Sequence, residues 1–369
     1  MIALGIMSGT SCDGVDAVLV ELASATEPHE PRVLGHAFEP YPDDVRRDLL
    51  APDKLTVPRL AELHYLLPEI YARTAKRIEG AERATVCGAH GQTVWHAPPS
   101  SGASTPCSLQ IGSSAILAER LGIDVVSDFR GADIARGGEG APIVPFSHAF
   151  FTPTSLRPRI FVNFGGIANV TYVGEDTEHV LGWDVGPAMM ISDAHAAHAT
   201  AGRLGCDEDG AVSGGGVVVD ALVDAILEHP YFAKPPPKST GREDFGEAFF
   251  APILARFADH PVADVATSIL AATATALSNA LLGHVEAARA TNVVLTGGGA
   301  KNPTLVGLVT ERLPGKEVRV ATEGVFAPSC HEPAAMALFA ARTLAGLPSS
   351  LPRVTGARSA ARLGHVSFG

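Results

Sequence analysis

Three apolar runs in this sequence each lead into a turn of glycine and small polar residues, and this pattern limits the folds open to the chain. The three segments span residues 5–16, 163–171 and 296–302. Glycine has no Cβ, so the backbone of such a turn can approach a ligand closely. Backbone N–H groups there, or at a following helix start, bind phosphate oxygens. Three such turns favour a phosphate-binding protein over one whose turns are only structural.

The order of elements along the chain indicates an α/β architecture, because apolar strand patterns alternate with helical patterns throughout. The first twenty residues read as strand, small-residue turn and strand, and residues 159–173 repeat that order. Two phosphate turns from two similar domains, with a third for the nucleoside, are the plan of the two-lobed actin-like ATPases. This ribonuclease H-like fold also includes hexokinase and Hsp70. The sequence contains neither GxxxxGK[ST] nor GxGxxG at these turns, which argues against P-loop and dinucleotide-binding proteins.

Length predicts two domains, since 369 residues exceed one ordinary compact core. Hydrophobic residues make up 46% of the chain, which is typical of a globular protein. We expect a first lobe over residues 1–135, completed by residues near 345–369, and a second lobe over 136–344. Residues 130–146 are rich in glycine and charge, and they predict a hinge or site loop near the boundary.

Charge and cysteine usage restrict the partners and the compartment. The formal net charge of -12 argues against nucleic acid, because proteins that bind phosphate backbones usually present a basic face. The five cysteines are scattered without CxxC spacing, which favours reduced thiols in a cytoplasm. The N-terminus lacks the basic region of a signal peptide, and no apolar run approaches the ~20 residues of a spanning helix. We therefore expect a cytoplasmic protein with no membrane partner.

Several longer motifs in the sequence resemble those of one protein family. In chain order they are GIMSGTSCDGVDAVLVE, GAHGQTVWHAP, LQIGSSAILAERLGIDVVSDFRGADIARGGEGAPIVPF, VNFGGIANVT, DVGPAMMISD, PPKSTGREDF, LTGGGAKNPTL and LPRVTGA. Over residues 7–357 the chain resembles the anhydro-N-acetylmuramic acid kinases. The resemblance implies an ATP-dependent kinase that opens the ring of 1,6-anhydro-N-acetylmuramic acid with water and phosphorylates O6. The product is N-acetylmuramic acid 6-phosphate, in peptidoglycan recycling, and the family is implied to be homodimeric with substrate between two lobes.

The resemblance also implies site residues. The catalytic base falls on Asp184 of GWDVGPAMM. The ATP-phosphate turn comprises Gly9, Thr10, Ser11, Cys12, Asp13, Gly14, Val15 and Asp16. The second phosphate turn includes Gly165, Gly166 and Asn169, and the nucleoside turn includes Gly297, Gly298, Gly299 and Asn302. The substrate side includes Thr93, Arg130 and Glu332. Two positions depart from the family pattern: Met189 stands where Asn is usual, and Pro333 replaces Ala.

The implied chemistry needs one base and a metal ion. A carboxylate that takes the proton of attacking water contributes typically 10²–10⁴-fold. Glycosidases also need an acid for the leaving oxygen, but here the γ-phosphoryl group captures O6, so we predict no obligatory acid partner. Mg²⁺ is expected with ATP, with Asp13 or Asp16 as its candidate partners. His90 and His96 are predicted to be hydrogen-bonded loop histidines rather than metal ligands, since no third ligand is evident.

Two alternatives remain open at this point. A plain sugar 6-kinase of the same fold would use Asp184 to deprotonate a sugar hydroxyl without ring opening. A non-catalytic nucleotide switch of the actin or Hsp70 kind would need the three turns but not the HGQT and DFR loops.

Overall fold

The computed structural model describes residues 1–176, 179–236 and 238–369, which form two compact units. The first contains Met1–Ser155, Asp176–Val180 and Thr322–Gly369, and the second contains Leu156–Glu175 and Leu181–Ala321. The strands are β1 Ile2–Ser8, β2 Gly14–Glu21, β3 Arg32–Pro40, β4 Cys87–Ala97, β5 Cys107–Ile111, β6 Val125–Ser127, β7 Arg159–Phe164, β8 Ile167–Val173, β9 Val180–Pro187, β10 Asn292–Thr296, β11 Glu317–Val320 and β12 His365–Ser367. The helices are α1 Asp43–Leu49, α2 Val57–Lys76, α3 Ser114–Leu121, α4 Gly131–Ile134, α5 Pro145–Phe150, α6 Met189–Ala199, α7 Asp220–Leu227, α8 Arg242–Phe245, α9 Glu247–Arg256, α10 Val262–Leu282, α11 Val285–Arg289, α12 Pro303–Arg312, α13 His331–Leu344 and α14 Pro352–Thr355.

Both units are built on the same arrangement of strands. In the first, the order is β12-β6-β4-β1-β2-β3; β1 runs antiparallel to β2 and parallel to β4. In the second, the order is β11-β10-β7-β8-β9; β7 runs antiparallel to β8 and parallel to β10. Parallel neighbours need a long crossover, and these crossovers carry the helices that cover the sheets. The predicted α/β, actin-like fold and its internal repeat are confirmed.

Apolar side chains on one face of each sheet pack against helices and form the two main cores. In the first unit, Leu63, Leu67 and Ile70 of α2 pack on residues of β1 and β2 such as Ile6 and Val15. These α2 positions recur at helical spacing, which is why the sequence predicts a helix there. In the second unit, α10 and α12 pack on the sheet of β7, β8 and β10.

The boundaries of the units differ from the predicted ones at 135 and 345. The glycine-rich loop after α4 is tied to the first unit by Asp133, which accepts from the Gly140 N–H at 2.9 Å and from Thr355 Oγ1 at 2.8 Å. Helix α5 follows this loop and also stays in the first unit, because the Phe146 ring packs 6.2 Å from the Phe339 ring of α13. The chain therefore first passes from the first unit to the second after Ser155, and its C-terminal part rejoins the first unit at Thr322.

Helix α13 lies directly on β1 and β4 because two glycines let its backbone approach. A Cβ on Gly5 would lie 1.7 Å from the Pro333 carbonyl oxygen, and one on Gly88 would lie 1.9 Å from the Met336 carbonyl oxygen. No side chain fits such a gap. Pro333 itself lies in the first turn of α13, where proline is tolerated. This contact fixes the position of Glu332, which precedes Pro333.

Replacing Gly88 with alanine should test this contact. The added methyl would overlap the Met336 carbonyl and push α13 from the sheet, so Gly88→Ala should cost about 3 kcal/mol or more of stability. The expected result is a thermal unfolding midpoint several degrees below that of the parent protein. Gly307→Ala is the control, since Gly307 lies in α12 with open space around it. Equal midpoints for the two variants would contradict the close approach.

In the described part of the chain, one helix has the length and hydropathy of a membrane-spanning segment. It is α10, whose most apolar window has a mean hydropathy of 1.5 and is 78% buried within the protein. The expectation that no run approaches spanning length was therefore too strict. Burial on this scale is typical of a core helix.

Candidate active site

The first predicted phosphate turn joins β1 to β2 through residues 9–13. The Cys12 N–H donates to the Gly9 carbonyl at 3.2 Å, and Cys12 adopts a left-handed conformation with a φ of 52°. Gly14 follows with no room for a side chain, because a Cβ there would lie 2.3 Å from the Glu39 carbonyl oxygen. Buried members of the predicted set (Cys12, Gly14, Val15) shape the turn, while its exposed side chains are Thr10, Ser11 and Asp13.

The two aspartates of this segment differ in their surroundings. Asp13 is exposed and accepts a hydrogen bond from Ser11 Oγ at 2.8 Å. Asp16 is half-buried, and its Oδ1 lies 2.7 Å from His36 Nε2 on the neighbouring strand. Asp13 is therefore the more accessible of the two for an external cation. Within the described residues, no group of three or more His, Cys, Asp or Glu side chains forms a ready metal site.

Arg130 of the DFR motif is oriented by His90 of the HGQT motif. The Arg130 Nε–H donates to His90 Nε2 at 3.1 Å, and Arg130 Nη1 donates to the Gly140 carbonyl at 2.8 Å. The other ring nitrogen, Nδ1, lies 2.9 Å from the Gly91 carbonyl, so it carries the proton. Burial, together with the Arg130 charge, lowers the pKa of His90 to about 3. His90 is thus a neutral acceptor. Its predicted hydrogen bonding is confirmed, but it lies on strand β4 rather than in a loop.

Glu332 and Thr93 belong to the same unit. Glu332 lies in the first turn of α13, and the surrounding protein raises the pKa of its carboxyl although the side chain reaches solvent. The Arg130 charge opposes this rise and the Asp16 charge adds to it, so both charges lie within electrostatic reach of Glu332. Thr93 on β4 is half-buried, and its Oγ1 accepts from Gln110 of β5 at 3.2 Å.

The second and third turns meet in the second unit. Gly165 and Gly166 follow β7, and Gly297 follows the parallel strand β10. A Cβ on Gly297 would lie 2.7 Å from the Phe164 carbonyl oxygen, so only glycine permits this contact. Asn169 lies opposite Asn163 in the β7–β8 pair, at the same end of the sheet. Exposed Gly166 and Gly298 leave the backbone of both turns accessible.

Met189, one of the two departures from the family pattern, links these turns. Its N–H donates to the Gly165 carbonyl at 3.0 Å, and its sulfur would be 2.6 Å from a Cβ on Gly299. The side chain is buried. Met189 therefore fills the space between the second and third turns with apolar atoms where an amide is usual.

The Asn302 side chain of the third turn has a structural role. Its Oδ1 accepts from the N–H groups of Thr304 and Leu305, which caps α12. Its Nδ2 donates to Asp207 Oδ2 at 2.9 Å and to the Asp207 carbonyl at 3.3 Å. With the side chain engaged and buried, Asn302 shapes the turn, and any nucleoside contact here would come from the backbone.

Asp184 lies on β9 and is held by the KST segment that follows α7. The Thr240 N–H donates to Asp184 Oδ2 at 3.0 Å, and the Asp184 N–H donates to the Lys238 carbonyl at 3.0 Å. The Tyr231 hydroxyl donates to the Asp184 carbonyl at 2.8 Å. Burial raises the pKa of Tyr231, and the Asp184 and Asp244 charges add to the rise. Asp184 is thus a carboxylate in a fixed orientation, half-buried, five residues before Met189.

The comparisons with known proteins decide the family. A family model described as anhydro-N-acetylmuramic acid kinase matches residues 1–369. The chain belongs to the anhydro-N-acetylmuramic acid kinase family. It is therefore a carbohydrate kinase, and kinases of this family use ATP. The family predicted from the motifs is confirmed.

Curated relatives with the same family name match this chain over nearly their whole length. The anhydro-N-acetylmuramic acid kinase of Streptomyces coelicolor is 38% identical, with 100% of this chain and 94% of the relative covered. The Bacillus cereus enzyme of that name is 32% identical, with 100% of this chain and 99% of the relative covered. Among solved structures, a ROK family glucokinase from Streptomyces griseus, in complex with glucose and AMPPNP, has a TM-score of 0.40 and 12% identity, with 92% of this chain and 99% of that chain covered.

Two residues that hold Asp184, Thr240 and Tyr231, were not predicted from the sequence. His90 was predicted to be hydrogen-bonded, but its partner Arg130 was not. The motif PPKSTGREDF contains Thr240, and its presence among the family motifs was the available signal; Pro237 of that motif lies outside the described residues. Tyr231 carried no signal, since an aromatic residue among apolar neighbours is typical of a core.

Arg130→Lys should weaken sugar binding in this kinase. Lysine keeps the positive charge but cannot donate to His90 and to the Gly140 carbonyl with one rigid group. We expect the KM for the sugar to rise about tenfold while the KM for ATP stays unchanged. Arg136→Lys is the matched control, since Arg136 lies in the same segment and its guanidinium donates to the Ala132 carbonyl at 3.3 Å. An unchanged sugar KM in Arg130→Lys would contradict the predicted substrate contact of Arg130.

Proposed function

We propose that this kinase opens the 1,6-anhydro ring of 1,6-anhydro-N-acetylmuramic acid with water and phosphorylates the freed O6. The products are N-acetylmuramic acid 6-phosphate and ADP, and the reaction belongs to peptidoglycan recycling. The observation that carries the proposal is the Asp184 carboxylate, held by the Thr240 N–H in the unit that also carries two glycine turns. Membership of the family supports the choice of substrate.

The reaction needs a base but no separate acid. Asp184 takes a proton from water as its oxygen forms a bond to C1. The C1–O6 bond breaks, O6 bonds to the γ-phosphorus, and the bond to the ADP oxygen breaks. The Thr240 N–H keeps one carboxylate oxygen engaged, which leaves the group in one orientation as the proton arrives. Phosphoryl transfer itself depends mainly on positioning and charge neutralisation.

ATP binding is assigned to the three turns. Within residues 9–16, the exposed backbone and hydroxyls of Thr10 and Ser11 would contact phosphate oxygens, with Gly165, Gly166 and Asn169 as the second phosphate turn and residues 297–299 and Asn302 at the nucleoside. Mg²⁺ neutralises phosphate charge and usually takes one or two carboxylates and several waters. Asp13 suits this ion, because its carboxylate is exposed, whereas Asp16 is directed toward His36. Thr93, Arg130 and Glu332 are proposed to contact the sugar.

A product assay tests this function. The protein is incubated with ATP, Mg²⁺ and the anhydro sugar, and the product is identified by mass spectrometry. The expected mass is that of the substrate plus one water and one HPO₃. A plain sugar 6-kinase would instead leave the anhydro sugar unchanged, because its O6 is part of the anhydro bridge, and would phosphorylate an open sugar with a free 6-hydroxyl. ATP turnover without any sugar product would support the nucleotide switch.

Location and assembly follow from the same proposal. ATP and the product belong to the cytoplasm, and all five cysteines are free thiols, as a reducing compartment favours. The homodimer implied by the resemblance stays a prediction, and sedimentation analysis of the purified protein tests it. The expected result is a species of twice the 38.2 kDa chain mass.

A further inference from the structure

Gln92 is completely buried in the middle of β4, opposite Ser8, where β1 ends and the first phosphate turn follows. Its Nε2 donates to the Gly9 carbonyl at 3.1 Å and to the Thr93 carbonyl at 3.3 Å. Both partners are acceptors, so the amide nitrogen must face them and the amide oxygen must face the other way. The orientation of this side chain is therefore determined by its contacts.

The amide oxygen connects the same turn to a second strand. Gln92 Oε1 accepts from Ser8 Oγ. A serine hydroxyl has one proton, so Ser8 accepts from the Tyr41 hydroxyl, which lies 2.6 Å away. The Tyr41 N–H in turn donates to the Asp13 carbonyl at 3.2 Å. Buried hydrogen bonds thus join Gly9, where the turn begins, to Asp13, where it ends.

The bond to the Gly9 carbonyl decides where an amide donor points. A trans peptide is planar, and its C=O and N–H groups point in opposite directions. The Gly9 carbonyl points inward to Gln92, so the N–H of Thr10 in the same peptide unit points outward. Thr10 is exposed. This outward N–H is the kind of donor that binds phosphate oxygens.

We propose that Gln92 is a positioning residue for the first phosphate turn. It holds the Gly9–Thr10 peptide so that the Thr10 N–H faces the ATP phosphates, and Ser8 and Tyr41 hold Gln92. This inference rests on the proposed function, which places ATP at residues 9–16. From the HGQT motif the sequence predicted a substrate contact for Thr93 and hydrogen bonding for His90, but no role for Gln92, because the burial of Gln92 arises from partners far away in the chain.

Gln92→Met tests the inference in the full-length protein. Methionine has a similar size but no amide, so the peptide loses its inward partner while the core stays filled. We expect the KM for ATP, and the dissociation constant for ADP measured by calorimetry, to rise about tenfold. The KM for the sugar should stay within about twofold of the parent value. A variant that was merely less stable would shift the unfolding midpoint without this difference between the two substrates.

Thr343→Val is the matched control. This variant removes a buried hydroxyl of α13 in the same unit that donates to the Leu363 carbonyl, outside the series that joins Gln92 to the first turn. It should lower stability without changing the KM for ATP. If Gln92→Met does not fold, Tyr41→Phe removes one hydroxyl from the same series and should raise the KM for ATP about threefold. Unchanged ADP affinity in the folded variant would overturn the inference, whereas failure of the parent protein to bind ADP would overturn the proposed function instead.

Discussion

Asp184→Asn should abolish most turnover while leaving nucleotide binding intact. Asparagine has the shape of aspartate and its oxygen can still accept from the Thr240 N–H, so the loop should keep its position. It cannot take a proton from water, and the loss of a positioned base costs typically 10²–10⁴-fold in rate. We therefore expect kcat to fall by about that factor, with the dissociation constant for ADP unchanged. Formation of the sugar phosphate under saturating ATP and sugar measures kcat directly.

The control replaces a carboxylate outside the site. Asp224→Asn changes an exposed residue of α7, a helix that packs on α10, and should leave kcat and stability at the parent values. Full activity of Asp184→Asn would contradict the assignment of Asp184 as base. A loss of ADP affinity equal to the loss of kcat would show instead that the residue supports the nucleotide turns.

Acid should destabilise the first unit strongly, because three of its histidines are buried in neutral form. Burial lowers the pKa of His90 to about 3 and that of His331 to about 3, and it lowers the pKa of His148 well below its ordinary value. In the unfolded chain a histidine has a pKa of about 6.5. Between these values the unfolded state binds protons that the folded state does not. The free energy of unfolding is therefore unaffected by these groups above pH 6.5, and it falls as the pH drops toward 3.

The slope of the free energy of unfolding against pH follows from the number of buried histidines. Each contributes at most about 1.4 kcal/mol per pH unit, so the three together contribute up to about 4 kcal/mol per unit. Urea unfolding at intervals between pH 7 and 5 measures the slope before most carboxylates titrate. His331→Gln should reduce the slope by about one third, whereas replacement of exposed His365 by Gln should leave it unchanged. A stability that does not change over this range would contradict the neutral buried histidines.

Much of the fold could be predicted because the decisive features are local. Glycine turns after apolar runs, and apolar residues at helical spacing in α2, are visible in single segments of the chain. The pairing of β1 with β4 could not be read in this way, since it joins strands separated by about 80 residues. The boundary near residue 135 was misplaced for a similar reason. A glycine-rich loop is typical of a hinge, but Asp133 fastens this one to α14 near the C-terminus through Thr355.

The same distinction between local features and distant contacts applies to the candidate site. The resemblance supplied Asp184, Arg130 and the turns, each of which lies in a recognisable motif. The residues that hold them are Thr240, His90 and Gln92, and their roles depend on bonds to distant segments. Local sequence patterns could identify the residues predicted to face a ligand, but they could not identify the residues that orient those side chains and turns.

The most direct test of the central claim follows the oxygen of water. The protein is given ATP, Mg²⁺ and the anhydro sugar in water enriched in oxygen-18, and the product is sampled before its C1 hydroxyl exchanges with solvent. Ring opening assisted by Asp184 and captured by phosphorylation predicts one labelled oxygen on C1 and an unlabelled phosphate on O6. A phosphorylated sugar without label on C1, or label found only in inorganic phosphate, would contradict the account.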